Sequence, residues 1–221
     1  KLGLIFVPND NLGFKLFASQ SYMSPTFYYV DMASPSVDNL ESQKINYYSL
    51  ENAYTYNSNK FDLVFTNIQV DDMIYLSSNG FKNSDKEVEG NSVMFKYTYD
   101  FDLKNQFMFN VYTLNSNQVE SNSSSGGTVK YMGSYNQFDY FTSLLYKEGY
   151  TFSNFEVKDG FDVNAGTTYN YNKNLSFSLK GENLLNKSIK SLYADKTTSP
   201  FTYFSLRDDE RAFLLSMKWL F

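Results

Sequence analysis

The chain alternates between apolar and polar side chains over unusually long runs. Between positions 93 and 103 every odd position holds Val, Phe, Tyr or Leu, whereas the even positions are mostly polar. The segments 161–171 and 213–221 show a similar alternation. A period of two predicts β-strands that have one apolar face. Soluble strands usually have about 5–6 residues, but a tilted strand that crosses a bilayer needs roughly 9–11. These runs therefore predict membrane-spanning strands.

Read in this way, the chain contains about eleven strands. We expect them near 1–8, 12–23, 44–57, 61–76, 91–103, 106–121, 127–135, 138–150, 159–171, 174–187 and 209–221. The connections between them are alternately short and long. The short ones, at 9–11, 57–60, 104–105, 136–137 and 172–174, are rich in Asn and Asp, which tolerate the left-handed backbone of tight turns. The long ones lie at 24–43, 77–90, 122–126, 151–158 and 188–208. Tight turns at one end and long loops at the other are typical of outer-membrane barrels, with the turns on the periplasmic side.

The predicted fold class is all-β, a transmembrane antiparallel β-barrel. An odd number of strands does not close a bacterial single-chain barrel, and an open edge in hydrocarbon leaves backbone groups unsatisfied. The chain therefore needs a partner surface. Two halves of this size would form a barrel of about 22 strands, which is the size of the plugged outer-membrane transporters.

The composition supports a barrel wall. Aromatic residues make up 19% of the chain, with 20 Tyr and 21 Phe but a single Trp. Tyr-rich chains of modest hydropathy suit a surface that meets both lipid and head groups. No apolar run approaches the roughly 18 residues of a transmembrane helix, and no signal peptide is visible. A soluble sandwich or propeller would explain the alternation, but not the strand lengths or the two kinds of connection.

Several classes of function are excluded by residue content. The chain has no Cys and no His, which removes disulfides, thiolate metal sites and His-based catalysis. The net charge of −5 and the pI near 4.8 argue against a nucleic-acid partner. The acidic groups at 71–72 and 207–211 are interpreted as solvated charge. We expect no enzyme activity and no cofactor.

Several segments resemble TonB-dependent outer-membrane receptors. The segment 175–187, which contains Asn-Leu-Leu-Asn and is followed by Tyr193, resembles the family's penultimate strand. The segment 211–221, with an Arg ten residues before a terminal Phe, resembles its last strand, and 17–26 and 40–51 resemble earlier strands. Ser49 and Glu51 stand where the family commonly has Glu and Gly, and Glu210 stands where it usually has Gly.

The resemblance implies that residues 1–221 are the C-terminal part of a receptor barrel. The N-terminal half, on a separate or missing segment, would supply the plug, the TonB box and the first strands. The implied partners are that half, the TonB-ExbB-ExbD energy-coupling complex, outer-membrane lipid and lipopolysaccharide, and a small metal chelate. The implied function is import of a scarce nutrient across the bacterial outer membrane, foremost a ferric siderophore. A passive porin and a surface adhesin without transport remain alternatives.

Three groups of residues are candidates for function. Extracellular aromatics and one Arg could contact a chelate, because they offer apolar faces and a bidentate cation. These are Phe27, Tyr28, Tyr29, Tyr193, Phe201, Tyr203, Phe204 and Arg207. Charges in the phase expected to face the lumen or plug are Glu51, Lys96, Asp100, Asp102, Lys180, Glu182 and Lys218. Trp219 and Phe221 end the chain as a barrel-assembly signal.

The cargo stays open among siderophore, haem, cobalamin and other metal chelates. The resemblance implies that a haem receptor would carry a His in the loop at 24–43, where this chain has none. Haem would therefore need Tyr28, Tyr29 or a ligand from the other half. No residue group predicts a protein-bound metal.

Overall fold

The computed structural model describes residues 1–35, 39–77, 79–117, 125–152, 155–187, 192–195, 202–205 and 210–220. For 192–195, 202–205 and residues 152 and 155, the backbone alone is described. The elements follow one another as β1 (Leu2–Asn9), β2 (Leu12–Met23), α1 (Phe27–Asp31), β3 (Gln43–Tyr56), β4 (Asn59–Asp71), β5 (Ile74–Ser77), β6 (Gly80–Asn83), β7 (Val88–Asp100), β8 (Gln106–Ser116), β9 (Ser125–Tyr135), β10 (Phe138–Lys147), β11 (Tyr150–Phe152), β12 (Phe155–Val157), β13 (Gly160–Asn170), β14 (Leu175–Glu182), β15 (Leu192–Asp195), β16 (Thr202–Ser205) and β17 (Ala212–Trp219).

Eleven long strands are hydrogen-bonded side by side in a single order. That order is β1-β2-β3-β4-β7-β8-β9-β10-β13-β14-β17, so each strand pairs with the next long strand along the chain. The pairing is antiparallel, as in β2 with β3 and in β10 with β13. The longest of these strands, β3, has 14 residues. The prediction of about eleven long antiparallel strands is confirmed.

The ends of some strands differ from the prediction. The fourth long strand ends at Asp71, because Asp72 turns the chain with a φ of 55°. The fifth ends at Asp100, three residues earlier than predicted. The last strand begins at Ala212 and ends at Trp219, and Phe221 lies outside the described residues.

The predicted long loops contain secondary structure that the sequence pattern did not indicate. They hold the β11–β12 and β15–β16 hairpins, the second strand of the β5–β6 hairpin and the one-turn helix α1, whereas β5 falls mainly within the predicted strand 61–76. Their strands have three or four residues, too few for a period-two pattern to stand out. No helix among the described residues is long and apolar enough to cross a membrane.

The tight turns use Asn where the backbone becomes left-handed. Asn57 has a φ of 51° and Asn136 a φ of 54°, at the β3–β4 and β9–β10 turns. In the β13–β14 turn, the Oδ1 of Asn172 accepts hydrogen bonds from the backbone N–H groups of Asn174 and Leu175, at 2.8 and 2.9 Å. These contacts confirm the interpretation of the Asn-rich connectors as tight turns.

Alternate side chains divide the strands into an apolar face and a polar face. On β17 the apolar face carries Phe213, Leu215, Met217 and Trp219, all well exposed. In register with them on β14 are Gly181, Leu179, Phe177 and Leu175. Within the described residues only Phe81 and Val157 are buried hydrophobic side chains. The long strands are therefore built to have their apolar face covered from outside the chain.

The chain divides into two compact units. The first comprises Lys1–Tyr54, Leu63–Val93 and Leu114–Gln118, and it holds α1 and the β5–β6 hairpin. The second comprises Thr55–Asp62, Met94–Thr113 and Val119–Phe221, and it holds the β11–β12 and β15–β16 hairpins.

Candidate functional site

The loop after β2 presents aromatic side chains on the short helix α1. Thr26 caps the helix, with its hydroxyl accepting from the backbone N–H of Tyr29 at 3.4 Å. Phe27 is 90% exposed, whereas the rings of Tyr28 and Tyr29 pack against Phe81 at centroid distances of 5.5 and 4.8 Å. Phe81 itself is 8% exposed. This aromatic cluster (Phe27, Tyr28, Tyr29 and Phe81) contains three of the predicted contact residues.

The cluster forms because the α1 loop pairs with the backbone of β6. The N–H of Phe81 donates to Met32 O at 2.8 Å, and the N–H of Ser34 donates to Phe81 O at 2.9 Å. Gly80 has a φ of 119°, and a Cβ there would lie 2.6 Å from Met32 O. Only glycine permits this backbone conformation and this close approach. Phe81 was not among the predicted residues, because a single Phe in a polar connection carries no periodic signal.

The same hairpin carries a cation that the sequence did not single out. The Lys82 ammonium lies 5.3 Å from the centre of the Tyr75 ring, within cation–π range. Its hydrogen bond to the Tyr75 hydroxyl raises the pKa of Lys82 above its ordinary value. Tyr75 and Lys82 are opposite each other in the hairpin register, on the face alternate to Phe81. A half-exposed cation with an aromatic partner can attract an anionic chelate.

The other predicted contact residues lie in the second unit or outside the described residues. In the β15–β16 hairpin Tyr193 is opposite Phe204, and Tyr203 is opposite Ala194. Phe201 and Arg207 lie outside the described residues. The sequence had placed all five in one long connection, and the hairpin gives three of them a defined register.

The β11–β12 hairpin borders a charged cleft of about 780 Å³. Its lining includes Glu148, Glu156, Lys158, Asp159 and Lys187. The base of the hairpin is closed by a hydrogen bond from the N–H of Gly149 to Asp159 Oδ1 at 2.7 Å. The described residues contain no group of three His, Cys, Asp or Glu side chains placed to hold a metal ion. The cleft is therefore a mixed-charge surface.

Three of the four ion pairs among the described residues lie on the polar face of the strands. Lys15 pairs with Glu51 at 3.4 Å, and Lys60 pairs with Asp100 at 2.7 Å. Lys180 pairs with Glu182, two positions away on the same side of β14. Lys96 and Lys218 lie in the same phase, and within the described residues neither makes an ion pair. Six of the seven predicted charges are thus in strands with the predicted alternation.

Asp102 is the exception, and its assignment to a strand was wrong. It lies in the turn between β7 and β8, where Oδ1 accepts hydrogen bonds from the N–H groups of Lys104 and Asn105 at 2.7 and 2.8 Å. The amide of Asn105 donates to the same carboxylate. The Lys104 N–H, followed by the Asn105 amide, holds the pKa of Asp102 below its ordinary value. A period-two pattern continues to 103, but the local hydrogen bonds of Asp102 favour a turn instead.

The Asn-Leu-Leu-Asn motif forms a turn that fastens the end of β14. Asn183 and Asn186 are both left-handed, with φ of 47° and 54°. The N–H of Asn183 donates to Asn164 Oδ1, and its own Oδ1 accepts from the N–H of Lys187, both at 3.0 Å. Asn186 Oδ1 accepts from the N–H of Arg211 just before β17. The motif therefore joins β13, β14 and the entry to the last strand.

The terminal strand pairs with β14 as predicted for the last strand of a barrel. Trp219 is opposite Leu175, and the N–H of Leu220 donates to Asn174 O at 2.8 Å. Trp219 is exposed on the apolar face at the end where the tight turns lie. A Trp at this level suits the membrane interface.

These features define the class of protein: the chain has the fold of an outer-membrane β-barrel, and it matches solved receptors of that class over nearly its whole length. The ferric yersiniabactin uptake receptor FyuA from Yersinia pestis matches with a TM-score of 0.78 and 11% identity, covering 98% of this chain and 36% of that one. The ferripyoverdine receptor of the outer membrane of Pseudomonas aeruginosa matches with a TM-score of 0.75 and 12% identity, covering 98% and 32%. The copper transporter OprC matches with a TM-score of 0.76 and 7% identity, covering 99% and 39%.

The fold is therefore that of the barrel of TonB-dependent siderophore receptors. The chain spans about a third of the length of these solved structures. No protein-family model matches the sequence, and no curated protein matches it.

Proposed function

We propose that this chain is the C-terminal part of the barrel of a TonB-dependent receptor that imports a ferric siderophore. The observation that carries the proposal is the shared fold: eleven spanning strands, tight turns at one end and structured loops at the other, matched over 98% of the chain by siderophore receptors. In this proposal the N-terminal half supplies the plug and the remaining strands. The TonB-ExbB-ExbD complex supplies the energy.

The division into two faces supports this arrangement. An apolar face suits lipid, where a charged residue at the bilayer midplane costs roughly 2–4 kcal/mol. In the proposed receptor the polar face, with its Lys15–Glu51, Lys60–Asp100 and Lys180–Glu182 pairs, lines the lumen and meets the plug. Within the described residues Lys96 and Lys218 make no ion pair, and in this proposal the plug supplies the matching charge at these two positions.

The aromatic cluster is the proposed first contact for the iron chelate. Phe27 and Tyr28 expose rigid rings at a loop tip, and Lys82 adds a cation on the neighbouring hairpin. Siderophore complexes combine aromatic or apolar parts with anionic oxygens, which suit this combination of groups. A second set of proposed contacts comprises Tyr193, Tyr203 and Phe204 on the β15–β16 hairpin, together with Phe201 and Arg207.

Uptake measurements test the proposal. Cells that carry the intact receptor as their only iron receptor are given radiolabelled ferric complexes of catecholate, hydroxamate and phenolate siderophores, with and without TonB. TonB-dependent uptake of at least one complex is the expected result. Uptake that is independent of TonB would support a passive channel, and surface binding without uptake would support an adhesin; either would overturn the proposal.

Copper is the alternative cargo that one match favours, because OprC is a copper transporter of the same fold. The chain contributes Met but neither Cys nor His as soft ligands. The same uptake experiment with Cu(II) chloride separates the two cargoes. TonB-dependent copper accumulation with no uptake of any iron complex would replace the siderophore proposal.

The role of the aromatic cluster is tested by Phe27→Ala and Tyr28→Ala. Each removes an exposed ring that the strands do not need, so surface abundance should stay at the wild-type level and uptake of the ferric complex should fall. Tyr135→Ala, an exposed aromatic at the tight-turn end of β9, is the matched control and should leave uptake unchanged. Equal uptake in all three variants would remove the cluster from the binding site.

A further inference from the structure

The tip of the β5–β6 hairpin carries the single Asn-Gly pair of the sequence, Asn79 and Gly80. Ser77 closes this tip, since its hydroxyl donates to Gly80 O at 2.6 Å and accepts from the N–H of Asn79 at 3.3 Å. Both hydrogen bonds use the backbone of the pair. The side chain of Asn79 is exposed, and its amide makes no hydrogen bond within the described residues. The amide is therefore able to swing onto the backbone that follows it.

Asn83, at the other end of β6, shows the opposite arrangement. Its side-chain amide makes three hydrogen bonds, two with the backbone of Glu41 and one with the backbone of Asp72. The residue that follows it is Ser84, which has a side chain beside its backbone nitrogen. The same hairpin thus holds the amide of Asn83 in place and leaves that of Asn79 exposed, so the two residues form an internal comparison.

An Asn that precedes Gly can react with its own backbone. The backbone nitrogen of Gly80 attacks Cγ of Asn79, and the new N–Cγ bond closes a succinimide ring. The Cγ–Nδ2 bond breaks, and ammonia leaves with the proton of the Gly80 nitrogen. Glycine favours this step because no Cβ stands beside the attacking nitrogen. Water then opens the ring, giving aspartate when it attacks Cγ and isoaspartate when it attacks the main-chain carbonyl carbon.

The fold itself requires the glycine that makes Asn79 reactive. Gly80 has a φ of 119°, and a Cβ there would lie 2.6 Å from Met32 O and 2.8 Å from the backbone nitrogen of Ser34. A larger residue at this position would protect Asn79, but it would push the α1 loop away from β6. The reactivity of the pair and the attachment of the loop therefore depend on the same residue.

Conversion of Asn79 changes the hairpin in two ways. Both products carry a carboxylate, which is ionised at neutral pH, in place of the amide. Isoaspartate also adds one methylene group to the backbone directly before Gly80. The next residue, Phe81, donates its N–H to Met32 O at 2.8 Å and accepts from the N–H of Ser34 at 2.9 Å. A longer backbone one residue away displaces both groups of Phe81 from these partners.

We propose that Asn79 is a self-modifying site, which converts to aspartate and isoaspartate without an enzyme, and that isoaspartate detaches the α1 loop from β6. Water is the only co-reactant, and the converted fraction increases with the age of the molecule. Detachment removes Phe81 from the rings of Tyr28 and Tyr29. A resulting loss of cargo binding rests on the proposed function of the aromatic cluster, whereas the conversion and the detachment do not.

Incubation of the intact receptor in mild detergent tests the conversion. Samples kept at neutral and at mildly alkaline pH are digested, and mass spectrometry follows the change from amide to acid at each Asn and distinguishes isoaspartate by fragmentation. We expect Asn79 to convert about tenfold or more faster than Asn83, whose three hydrogen bonds must break first. Conversion should be faster at alkaline pH, because the attacking nitrogen must lose its proton. Equal rates at Asn79 and Asn83 would overturn the proposal.

Hydrogen–deuterium exchange at the amides of Ser34 and Phe81 tests the detachment. Protection at both amides should be lower in the incubated wild type than in the fresh protein.

Two variants of Asn79 serve as matched controls. Asn79→Gln keeps an amide but must close a larger ring, so it should keep its protection through the same incubation. Freshly prepared Asn79→Asp has the carboxylate without the added methylene group and should also keep it. Unchanged protection in the converted wild type, or an equal loss in incubated Asn79→Gln, would refute the detachment. Neither measurement uses uptake, so failure of this inference and failure of the proposed function are distinguishable.

Discussion

Two hydrogen bonds join Asn83 to Glu41, which lies in another loop 42 positions away in the sequence. The N–H of Glu41 donates to Asn83 Oδ1 at 2.8 Å, and Asn83 Nδ2 donates to Glu41 O at 3.1 Å. The same amide nitrogen lies 2.6 Å from Asp72 O. The side-chain amide of Asn83 thus makes the backbone hydrogen bonds that a neighbouring strand would otherwise make. It holds the β5–β6 hairpin against the segment that leads into β3.

The first prediction concerns this pair. Asn83→Ala removes three hydrogen bonds, each worth about 0.5–1.5 kcal/mol net, so the backbone of residues 39–42 should open more often. Hydrogen–deuterium exchange at the amide of Glu41 measures the change, and protection there should fall. Asn79→Ala, at the tip of the same hairpin, is the control. Unchanged exchange at Glu41 in the Asn83 variant would show that the pair does not fasten the loop.

The second prediction tests the assignment of the two faces. Phe95→Arg places a charge on the apolar face and should impair assembly, because the cost at midplane is roughly 2–4 kcal/mol. Thr98, which alternation alone suggests as the control, is only 6% exposed and would not accommodate Arg. Met94, 37% exposed on the polar face, is the better control. Folded protein is measured by the heat-shifted band in outer membranes. Equal loss in Phe95→Arg and Met94→Arg would contradict the assignment.

The third prediction concerns the turn around Asp102. The pKa of Asp102 is lower in the folded protein than in the unfolded chain. The ionised carboxylate therefore stabilises the fold at any pH above its pKa in the unfolded chain. This stabilisation is lost as the pH falls through its pKa in the folded protein. Asp102→Ala should therefore lower the thermal midpoint at neutral pH, and the difference from the wild type should shrink in acid. Asp10→Ala, in the first tight turn, is the control, since no hydrogen bond among the described residues depends on its carboxylate. A pH-independent difference would contradict the role of the ionised carboxylate.

The fourth prediction separates backbone conformation from hydrogen bonding at Asn183. This residue is left-handed and 3% exposed, and its Oδ1 accepts from the N–H of Lys187. Asn183→Ala loses the hydrogen bond and strains the backbone, whereas Asn183→Gly loses only the hydrogen bond. We expect both variants to have a lower thermal midpoint than the wild type. The Ala variant should be less stable than the Gly variant by about 1 kcal/mol. A Gly variant that is less stable than the Ala variant would show that the left-handed conformation is not the source of the strain.

The clearest of the eleven strands were predictable because a period-two signal runs through 93–103 and 161–171, whereas β1 shows no such alternation. Their connections were predictable at the tight turns, where Asn57 and Asn136 carry the left-handed backbone. The loops were not predictable in the same way. The contact between Phe81 and Tyr29 depends on the backbone of Gly80, and the pairing of Asn83 with Glu41 depends on two segments far apart in sequence. Such contacts produce no periodic pattern in the sequence.

Only part of the candidate site could be predicted from the sequence, because contacts between distant segments produce no periodic pattern there either. Aromatic residues at 27–29 could be selected as exposed loop residues, and the structure places them together on α1. Lys82 was missed because Lys is common in polar connections, and Tyr75 was missed because it fell within the predicted strand 61–76. Asp102 was misplaced because the alternation of β7 extends past the end of the strand.

The fastening of the α1 loop by Asn83 and Gly80 has an evolutionary consequence. A surface receptor is exposed to phages, toxins and antibodies, and each selects for change at the loop tips. The shape of this loop depends on the amide of Asn83 and on Gly80, whereas the ring of Phe27 is 90% exposed. Natural variants should therefore diversify at 27 while keeping 80 and 83. A loop of this design can change what its tip presents without refolding.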